Sequence, residues 1–474
     1  MLQLRHMTEV STKNIDQILS RGVGEFIDPD NNFKNKLLAK TQGKYSKDII
    51  IKFGIDPTRP DIHLGHAVVF RKLRQLQGLG CKVIFLVGDF TAQIGDPSGK
   101  NKSRPELELQ EIGRNVKTFL EQIHKIIDTT DENLFSWIKN SDWLFSVEDI
   151  IGEGLIKKTI TNDKGEKLEL ELDGKTFLGK AVLFEKTRMQ VNVSHSGDVV
   201  GVTVANLLSN LRKITLSQLI ERDMFKHRLE NGKELFMHEM LYPVLQGIDS
   251  SVLNNIYGSC DLEIGGTDQT FNMLMGRTVM KNSNQEPQSV LSLKILEGLD
   301  GKEKMSKSLD NYVSIVDPAN EMYGKIMSIP DTSILNYFEL CTYVPTEDLG
   351  KIKDFLSDRN NNPKEVKMRL AREIVAIYHG EDQAKQAEQN FITTFQNKEL
   401  PAEIPEVKAR VGEKVADILV AHKIVESKTD WRRLVEAGAV TDLVTNESIA
   451  DSNLELKSPL TLKVGKRRFV KILL

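Results

Sequence analysis

The fold is read first from two apolar runs and the helix between them. The first run, IIIKFGI, covers residues 49–55, and a polar turn, DPTRPD, follows it over residues 56–61. A helical pattern comes next, with apolar residues at steps of three and four: Leu64, Val68, Val69, Leu73 and Leu76. The second run, VIFLV, covers residues 83–87. This βαβ pattern predicts a parallel, doubly wound sheet whose ligands bind beyond the carboxyl ends of the strands.

Length and charge limit the class of protein. The chain has 474 residues and carries 64 Lys and Arg against 67 Asp and Glu, a net charge of −3. One hydrophobic core rarely grows beyond about 250–300 residues, so more than one domain is expected. Because the charge is nearly balanced, a nucleic-acid partner would need a local basic patch.

The chain shows no sequence signal for export, a membrane or a structural metal. No apolar run approaches the ~20 residues that cross a bilayer, and the first residues lack an apolar signal core. Cys81, Cys260 and Cys341 form no C-x-x-C pair, which argues against a disulfide framework and a zinc site. We therefore expect a cytoplasmic protein that holds no metal of its own.

The pattern along the chain predicts three domains. Residues 1–315 would form the α/β domain, with β-hairpins inserted at about 151–201, where leucines alternate with charged residues between turn signals. Helical periodicity without strand signals predicts an all-helical second domain over residues 316–399. Prolines indicate a linker at residues 400–405, and residues 406–474 would form a third, small domain.

Two short motifs carry the chemistry. HLGH, residues 63–66, lies where the first strand passes into its helix, a place that favours phosphate. Its histidines share one helical face, although two such histidines could also simply cap or pack. KMSKS, residues 304–308, lies in a polar, glycine-flanked loop and offers two cations and hydroxyls to a phosphate. A solvated basic loop is the alternative for the lysines alone, but the two motifs together favour phosphate chemistry.

Together the motifs resemble the signatures of the class I aminoacyl-tRNA synthetases. The resemblance implies an aminoacyl-tRNA ligase that activates an amino acid with ATP and Mg²⁺, then transfers it to the 3′ adenosine of a tRNA. In such a reaction the amino acid carboxylate attacks the α-phosphate, so the protein mainly positions the reactants and stabilises charge.

Three further segments narrow the family. They are GDPSGK at residues 95–100, YPVLQGID at 242–249 and IGGTDQ at 264–269. The second places Tyr242 and two later polar residues at i, i+4 and i+7, on one helical face among apolar neighbours. Over most of residues 48–315 the chain resembles the tyrosyl-tRNA synthetase family.

This resemblance implies a role for each matching residue. The tyrosine α-ammonium would be held by Asp96, Tyr242 and Gln246. Asp249 would accept the phenolic proton, and Gln269 would bind near the carboxylate end. ATP and the transition state would be contacted by Thr58, His63, His66 and Thr91. The departing pyrophosphate would be bound by Lys100, Arg104, Lys304 and Lys307. The adenylate pocket would be completed by Asp56, Gly65, Gly265, Asp268, Met305, Ser306 and Ser308.

The chain departs from the family pattern in two places. The best-known bacterial members carry a first-strand tyrosine that contacts the substrate hydroxyl, and the matching position here is Lys52. Phenol recognition would therefore rest more on Asp249 or on another group. The hairpin-rich stretch at about 151–201 also interrupts a region that runs almost continuously in the family.

The end of the chain carries an RNA-binding signal. Residues 463–474 hold five basic residues and no acidic one. Segments 431–440 and 462–469 resemble the small α+β S4-like module of bacterial tyrosyl enzymes. RNA would be contacted by Arg432, Arg433, Lys466, Arg467 and Arg468. A solvated strand end is the alternative for the last three. The resemblance also implies a homodimer that binds tyrosine, ATP and tRNA(Tyr) and no membrane.

Three other functions stay open. A tryptophanyl-tRNA synthetase has the same fold, but the polar face at Tyr242 suits an ammonium and a phenol better than an indole. A non-catalytic RNA-binding protein on a synthetase scaffold would keep the tail, although the intact histidines and lysines of both motifs argue against it. A small-metabolite adenylyltransferase would use HLGH but has no reason to carry two further domains.

Overall fold

A computed structural model of the chain describes residues 12–57, 62–96, 109–144, 155–161, 167–173, 202, 204–220, 223–358, 360–393, 404–445, 447–465 and 468–474. It divides into two compact units. The first comprises residues 1–317 and 329–366, and the second comprises residues 318–328 and 367–474. The domain boundaries predicted from the sequence stay a prediction, and most of the predicted linker lies outside the described residues. No helix in the described ranges is both long and apolar enough to span a membrane.

The first unit is built on a parallel sheet. Its described strands are β1 (Val23–Ile27), β2 (Ile50–Ile55), β3 (Lys82–Val87), β4 (Phe135–Lys139), β5 (Leu155–Thr161), β6 (Lys167–Asp173), β7 (Leu262–Gly266) and β8 (Ser289–Leu293). Six of them form one sheet in the order β1-β8-β7-β2-β3-β4. All neighbouring pairs are parallel except β1 with β8, which is antiparallel at the edge. The predicted doubly wound fold is confirmed.

Helices surround this sheet. In chain order they are α1 (Thr12–Ser20), α2 (Asn32–Thr41), α3 (Leu64–Gln77), α4 (Thr91–Ile94), α5 (Leu109–Ile123), α6 (Val204–Leu211), α7 (Leu216–Ile220), α8 (Asp223–Glu230), α9 (Met237–Tyr257) and α10 (Thr270–Asn282). α3 is the predicted crossover between β2 and β3, and its five apolar positions are buried. Because each central strand is covered by helices, its side chains form a nearly continuous apolar core.

The insertion contains a hairpin. β5 pairs antiparallel with β6, with Leu155 opposite Asp173 and Thr161 opposite Lys167. This pairing of two strands of equal length agrees with the alternating pattern of the sequence. The rest of the insertion lies outside the described residues.

Helices continue after the sheet, in both units. They are α11 (Ala319–Met327), α12 (Ile334–Cys341), α13 (Thr346–Ser357), α14 (Pro363–His379) and α15 (Glu381–Phe391). In the second unit α11 lies against α15, where the rings of Tyr323 and Phe391 are 5.4 Å apart.

The last residues form an α+β structure with a core of its own. It consists of β9 (Glu406–Lys408), α16 (Val415–Ala421), α17 (Lys428–Glu436), β10 (Val440–Asp442), β11 (Leu460–Val464) and β12 (Arg468–Leu473). The sheet order is β10-β11-β12-β9, and Trp431 is buried beneath it. The likeness to an S4 module stays a prediction.

Candidate functional site

A cavity of about 700 Å³ opens at the carboxyl ends of β2, β3 and β7. This is where a doubly wound sheet leaves room for a ligand, because the crossovers diverge there. The cavity brings together sixteen of the predicted residues: Asp56, His63, Gly65, His66, Thr91, Asp96, Tyr242, Gln246, Asp249, Gly265, Asp268, Gln269, Lys304, Met305, Ser306 and Lys307.

The other predicted residues fall elsewhere. Thr58, Lys100, Arg104, Lys466 and Arg467 lie outside the described residues, as does the side chain of Ser308. Arg433 and Arg468 both approach Asp430 in the second unit, at 2.6 and 3.6 Å. Arg432 is exposed on the same helix, α17.

One end of the cavity is built around Asp249, which is 2% exposed. Its Oδ1 accepts a hydrogen bond from the indole Nε1 of Trp143 at 2.9 Å, and its Oδ2 accepts one from Asn140 at 3.4 Å. Burial raises the pKa of Asp249 to about 7, against the opposing effect of the Lys52 charge and of the two hydrogen bonds. Asp249 therefore titrates near neutral pH and offers an oxygen to a buried donor.

Trp143 and Asn140 were not predicted as site residues. They follow β4, ahead of the predicted insertion at about 151–201, in a segment that none of the predicted motifs covers. Residue chemistry was the one signal in the sequence that could have identified them, because a buried carboxylate such as Asp249 needs hydrogen-bond donors and an indole can only donate. Asn140 also donates to the Thr91 hydroxyl at 3.0 Å, which joins this end of the cavity to the next.

The middle of the cavity is organised by Asp56. Its two carboxylate oxygens accept hydrogen bonds from the Tyr242 hydroxyl at 2.7 Å and the Thr91 hydroxyl at 2.8 Å. Burial and the charge of Asp56 raise the pKa of Tyr242 well above its ordinary value, so the phenol stays protonated and donates. Gly88 permits this approach, since a Cβ there would lie 2.1 Å from Asp56 Oδ1.

The histidine pair begins α3. The rings of His63 and His66 are stacked, with centroids 3.8 Å apart and planes inclined by 23°. Burial, with the nearby positive charge of Lys304, lowers the pKa of His63 to about 2 and that of His66 to about 4. Both imidazoles are therefore neutral at physiological pH. The buried Nδ1 of His63 has no hydrogen-bond partner among the described residues, so a polar group remains available at the cavity wall.

The lysine loop closes one side of the cavity. Met305 is buried, and its N–H donates to the Leu296 carbonyl at 2.9 Å. Lys304 forms an ion pair with Asp268 at 2.5 Å, and the ammonium of Lys307 lies 5.4 Å from the ring centre of Tyr312. With Met305 fixed in this way, Lys304 and Lys307 on either side of it line the cavity.

Comparison with known proteins places the chain in a family. The model of the "tRNA synthetases class I (W and Y)" matches residues 44–152 and 154–396. The tyrosine–tRNA ligase of Carboxydothermus hydrogenoformans is 40% identical over 96% of this chain and 97% of its own length. Tyrosine–tRNA ligase 2 of Clostridium acetobutylicum is 38% identical over 97% of this chain and 99% of its own length.

A solved structure supports the same fold. A C-terminally truncated mitochondrial tyrosyl-tRNA synthetase of Aspergillus nidulans covers 83% of this chain and 96% of its own, with a TM-score of 0.54 and 19% identity. At that identity the likeness shows the fold alone. The family model and the near-full-length relatives show more: the chain belongs to the tyrosine–tRNA ligase family of the class I tRNA synthetases.

Proposed function

We propose that this chain activates L-tyrosine with ATP to tyrosyl-adenylate and pyrophosphate, and then transfers the tyrosine to the 3′ adenosine of tRNA(Tyr). One observation carries the proposal. One cavity is lined by the buried carboxylate of Asp249, by a second carboxylate beside amides, and by the histidines and lysines of the two motifs, which are groups that suit a phenol, an ammonium and phosphates. The relatives named tyrosine–tRNA ligase support the same activity.

Tyrosine recognition is proposed to use both ends of the substrate. The phenolic O–H would donate to Asp249, whose Trp143 and Asn140 partners hold it in place. The ammonium needs acceptors, and Asp96, Gln246 and the Tyr242 oxygen offer them. Gln269 donates to Asp96 at 2.7 Å, which orients that carboxylate for the ammonium. Gln269 itself is proposed to bind near the carboxylate end of the substrate.

Activation is proposed to proceed in line. A carboxylate oxygen of tyrosine bonds to the α-phosphorus, and the bond from phosphorus to the pyrophosphate oxygen breaks. His63 and His66 are neutral, so they would act by hydrogen bonds, alongside Thr91. Lys304 would exchange Asp268 for a phosphate oxygen, and Lys307 would add a second charge.

The remaining contacts rest on the resemblance. Thr58, Lys100 and Arg104 are proposed to complete the ATP and pyrophosphate contacts, and Gly65, Gly265, Met305, Ser306 and Ser308 to shape the adenylate pocket. Mg²⁺ is proposed to arrive with ATP and to neutralise phosphate charge. The C-terminal α+β structure is proposed to bind tRNA through its basic residues, and the cytoplasm is the proposed location.

A homodimer is proposed, with the contact on the helices after the insertion. Six of the ten exposed large apolar side chains in the described part of the first unit lie in this region: Val204, Leu208, Leu216, Leu229, Phe236 and Met237. If these side chains form one apolar patch, a subunit contact would cover it. Light scattering at micromolar concentration should give the dimer mass, and a fully active monomer would contradict the proposal.

The experiment for the activity is ATP–pyrophosphate exchange with each of the twenty amino acids, followed by charging of tRNA(Tyr). Tyrosine alone should support rapid exchange. Exchange with tryptophan would favour the tryptophanyl alternative. Tight tRNA binding without exchange by any amino acid would favour the non-catalytic one.

A further inference from the structure

We propose that the buried ion pair of Lys52 and Glu263 is a positioning device, which turns the side-chain amide of Gln246 so that its oxygen is presented to the substrate ammonium. The inference rests on the proposed role of Gln246 in tyrosine binding. It assigns Lys52, where the family pattern has a tyrosine that contacts substrate, to an indirect role.

Lys52 cannot serve as a phenol donor in this arrangement. Its side chain is fully buried on β2, and its ammonium reaches the backbone carbonyl of Gln246 at 2.7 Å, the Ser250 hydroxyl at 2.8 Å and Glu263 Oε1 at 2.9 Å. An ammonium has three N–H donors, so these acceptors use them all. A buried cation is costly unless it is paired, and the partner here stands directly opposite on β7.

Glu263 is the acceptor at the centre of this cluster. It is 1% exposed and, as the ion-pair partner of Lys52, is a carboxylate that can only accept. Besides Lys52, it accepts from Gln246 Nε2 at 2.9 Å, from the Ser250 hydroxyl at 3.3 Å and from Gln288. Gln246 must therefore turn its NH₂ towards Glu263 and its oxygen away.

Three side-chain amides, those of Gln246, Asn272 and Gln269, link Glu263 to Asp96 by hydrogen bonds. Asn272 Nδ2 donates to Gln246 Oε1 and to Gln269 Oε1, both at 3.1 Å. Gln269 Nε2 in turn donates to Asp96. The chain of amides thus runs between two carboxylates, Glu263 and Asp96. Because both ends only accept, each glutamine donates outwards and both glutamine oxygens face Asn272.

Reversal of the Gln246 amide would be unfavourable at two contacts. Its oxygen would face the Glu263 carboxylate, and its NH₂ would face the NH₂ of Asn272. In the observed orientation Asn272 uses one lone pair of the Gln246 oxygen, and a carbonyl oxygen has a second one for a cation. Gln246 lines the cavity and is only half-buried, so a substrate ammonium can reach it.

Packing leaves little room for the cluster to relax. α10 approaches it at Gly276, where a Cβ would come within 2.5 Å of Gln288 Nε2, 2.9 Å of Ser250 Oγ and 3.1 Å of Glu263 Oε2. The helix therefore holds these polar side chains in one arrangement, and Gly276 is required for its approach.

The test removes both charges while keeping side-chain size, in the double variant Lys52→Met/Glu263→Gln of the full chain. A glutamine at position 263 can donate or accept, so it no longer dictates the Gln246 amide. The quantities to measure are the Kd of L-tyrosine and the Kd of 3-(4-hydroxyphenyl)propionate, which keeps the phenol and carboxylate but lacks the ammonium. The Kd of tyrosine should rise on the order of 10-fold, as for a lost hydrogen bond to a charged group, while that of the propionate stays the same.

The matched control is Arg228→Met/Glu239→Gln, which neutralises a second buried ion pair of the same unit, 2.8 Å long and outside the cavity. It should change neither Kd. An equal rise in the Kd of both ligands in the Lys52→Met/Glu263→Gln variant would show a merely structural role. An unchanged Kd of tyrosine would also overturn the inference.

If the double variant does not fold, Lys52→Met/Glu263→Met tests the same point, because an apolar pair of similar size commonly replaces a buried ion pair without loss of stability. Gln246 Nε2 then loses Glu263 Oε1, the acceptor that it shares with Lys52, so tyrosine binding should again fall selectively. Wild-type protein that binds no tyrosine would refute the proposed function instead, which keeps the two failures distinct.

Discussion

The variant Asp249→Asn keeps the shape of the side chain but replaces one acceptor oxygen with an NH₂ donor. Trp143 can only donate, so the new amide would turn its oxygen to the indole N–H, 2.9 Å from Oδ1. Its NH₂ would then occupy the Oδ2 position, beside the Asn140 amide that donates there in the wild type. The phenolic proton of tyrosine would lose its acceptor.

The magnitude follows from two effects. A hydrogen bond to a charged group contributes about 1.5–3 kcal/mol, and its loss lowers kcat/KM for tyrosine by about 10- to 150-fold. Phenylalanine leaves a buried acceptor without a partner in the wild type, a penalty of about 1–3 kcal/mol that the variant relieves. The ratio of kcat/KM for tyrosine to that for phenylalanine should therefore fall by about 10²- to 10⁴-fold.

Pyrophosphate exchange at saturating ATP, with each amino acid varied in turn, measures this ratio. Asp89→Asn is the control, because Asp89 accepts from Ser141 and Phe90 in the adjoining loops but does not line the cavity. It should keep the wild-type ratio. A folded Asp249→Asn protein with unchanged discrimination would refute the assignment of phenol recognition to Asp249.

Four further predictions concern pH, stability, the lysine loop and the tail. Because burial places the pKa of Asp249 at about 7, kcat/KM for tyrosine should fall with acid below pH 7 in the wild type, and pH profiles of Asp249→Asn should lack this step. The pKa of Asp249 in the folded protein lies above the ordinary 3.8, so the stability that protonated Asp249 confers is present in acid and lost as pH rises towards 7. The Tm of Asp249→Asn relative to the wild type should therefore be higher at pH 8 than at pH 5, as measured by thermal unfolding. Lys307→Ala should slow pyrophosphate exchange about 10²- to 10³-fold with little change in tyrosine Kd, whereas an equal loss of tyrosine binding would indicate a structural loop. Truncation after Pro405 removes a separate apolar core and should spare activation, weaken tRNA charging and flatten the salt dependence of tRNA affinity; charging equal to the full chain would contradict a role in RNA binding.

Much of the cavity was predictable because its residues lie in short local motifs. HLGH and KMSKS predict a phosphate site by residue type and spacing, and periodicity alone places Tyr242, Gln246 and Asp249 on one helical face. The structure brings these segments to one edge of the sheet. The roles of individual residues stay predictions, since contact within a cavity does not by itself assign a chemical step.

The sequence by itself determined the parallel sheet, its first crossover and the family, because periodicity and motif spacing are properties of neighbouring residues. Only the tertiary structure decided which side chains surround the motif residues. Trp143 meets Asp249 across 106 positions, and Lys52 meets Ser250 across 198. A strand pattern shows that Lys52 lies in a buried strand but cannot show which acceptors face it. Those acceptors come from the neighbouring strand and from a helix packed over both, and long-range packing alone brings them together.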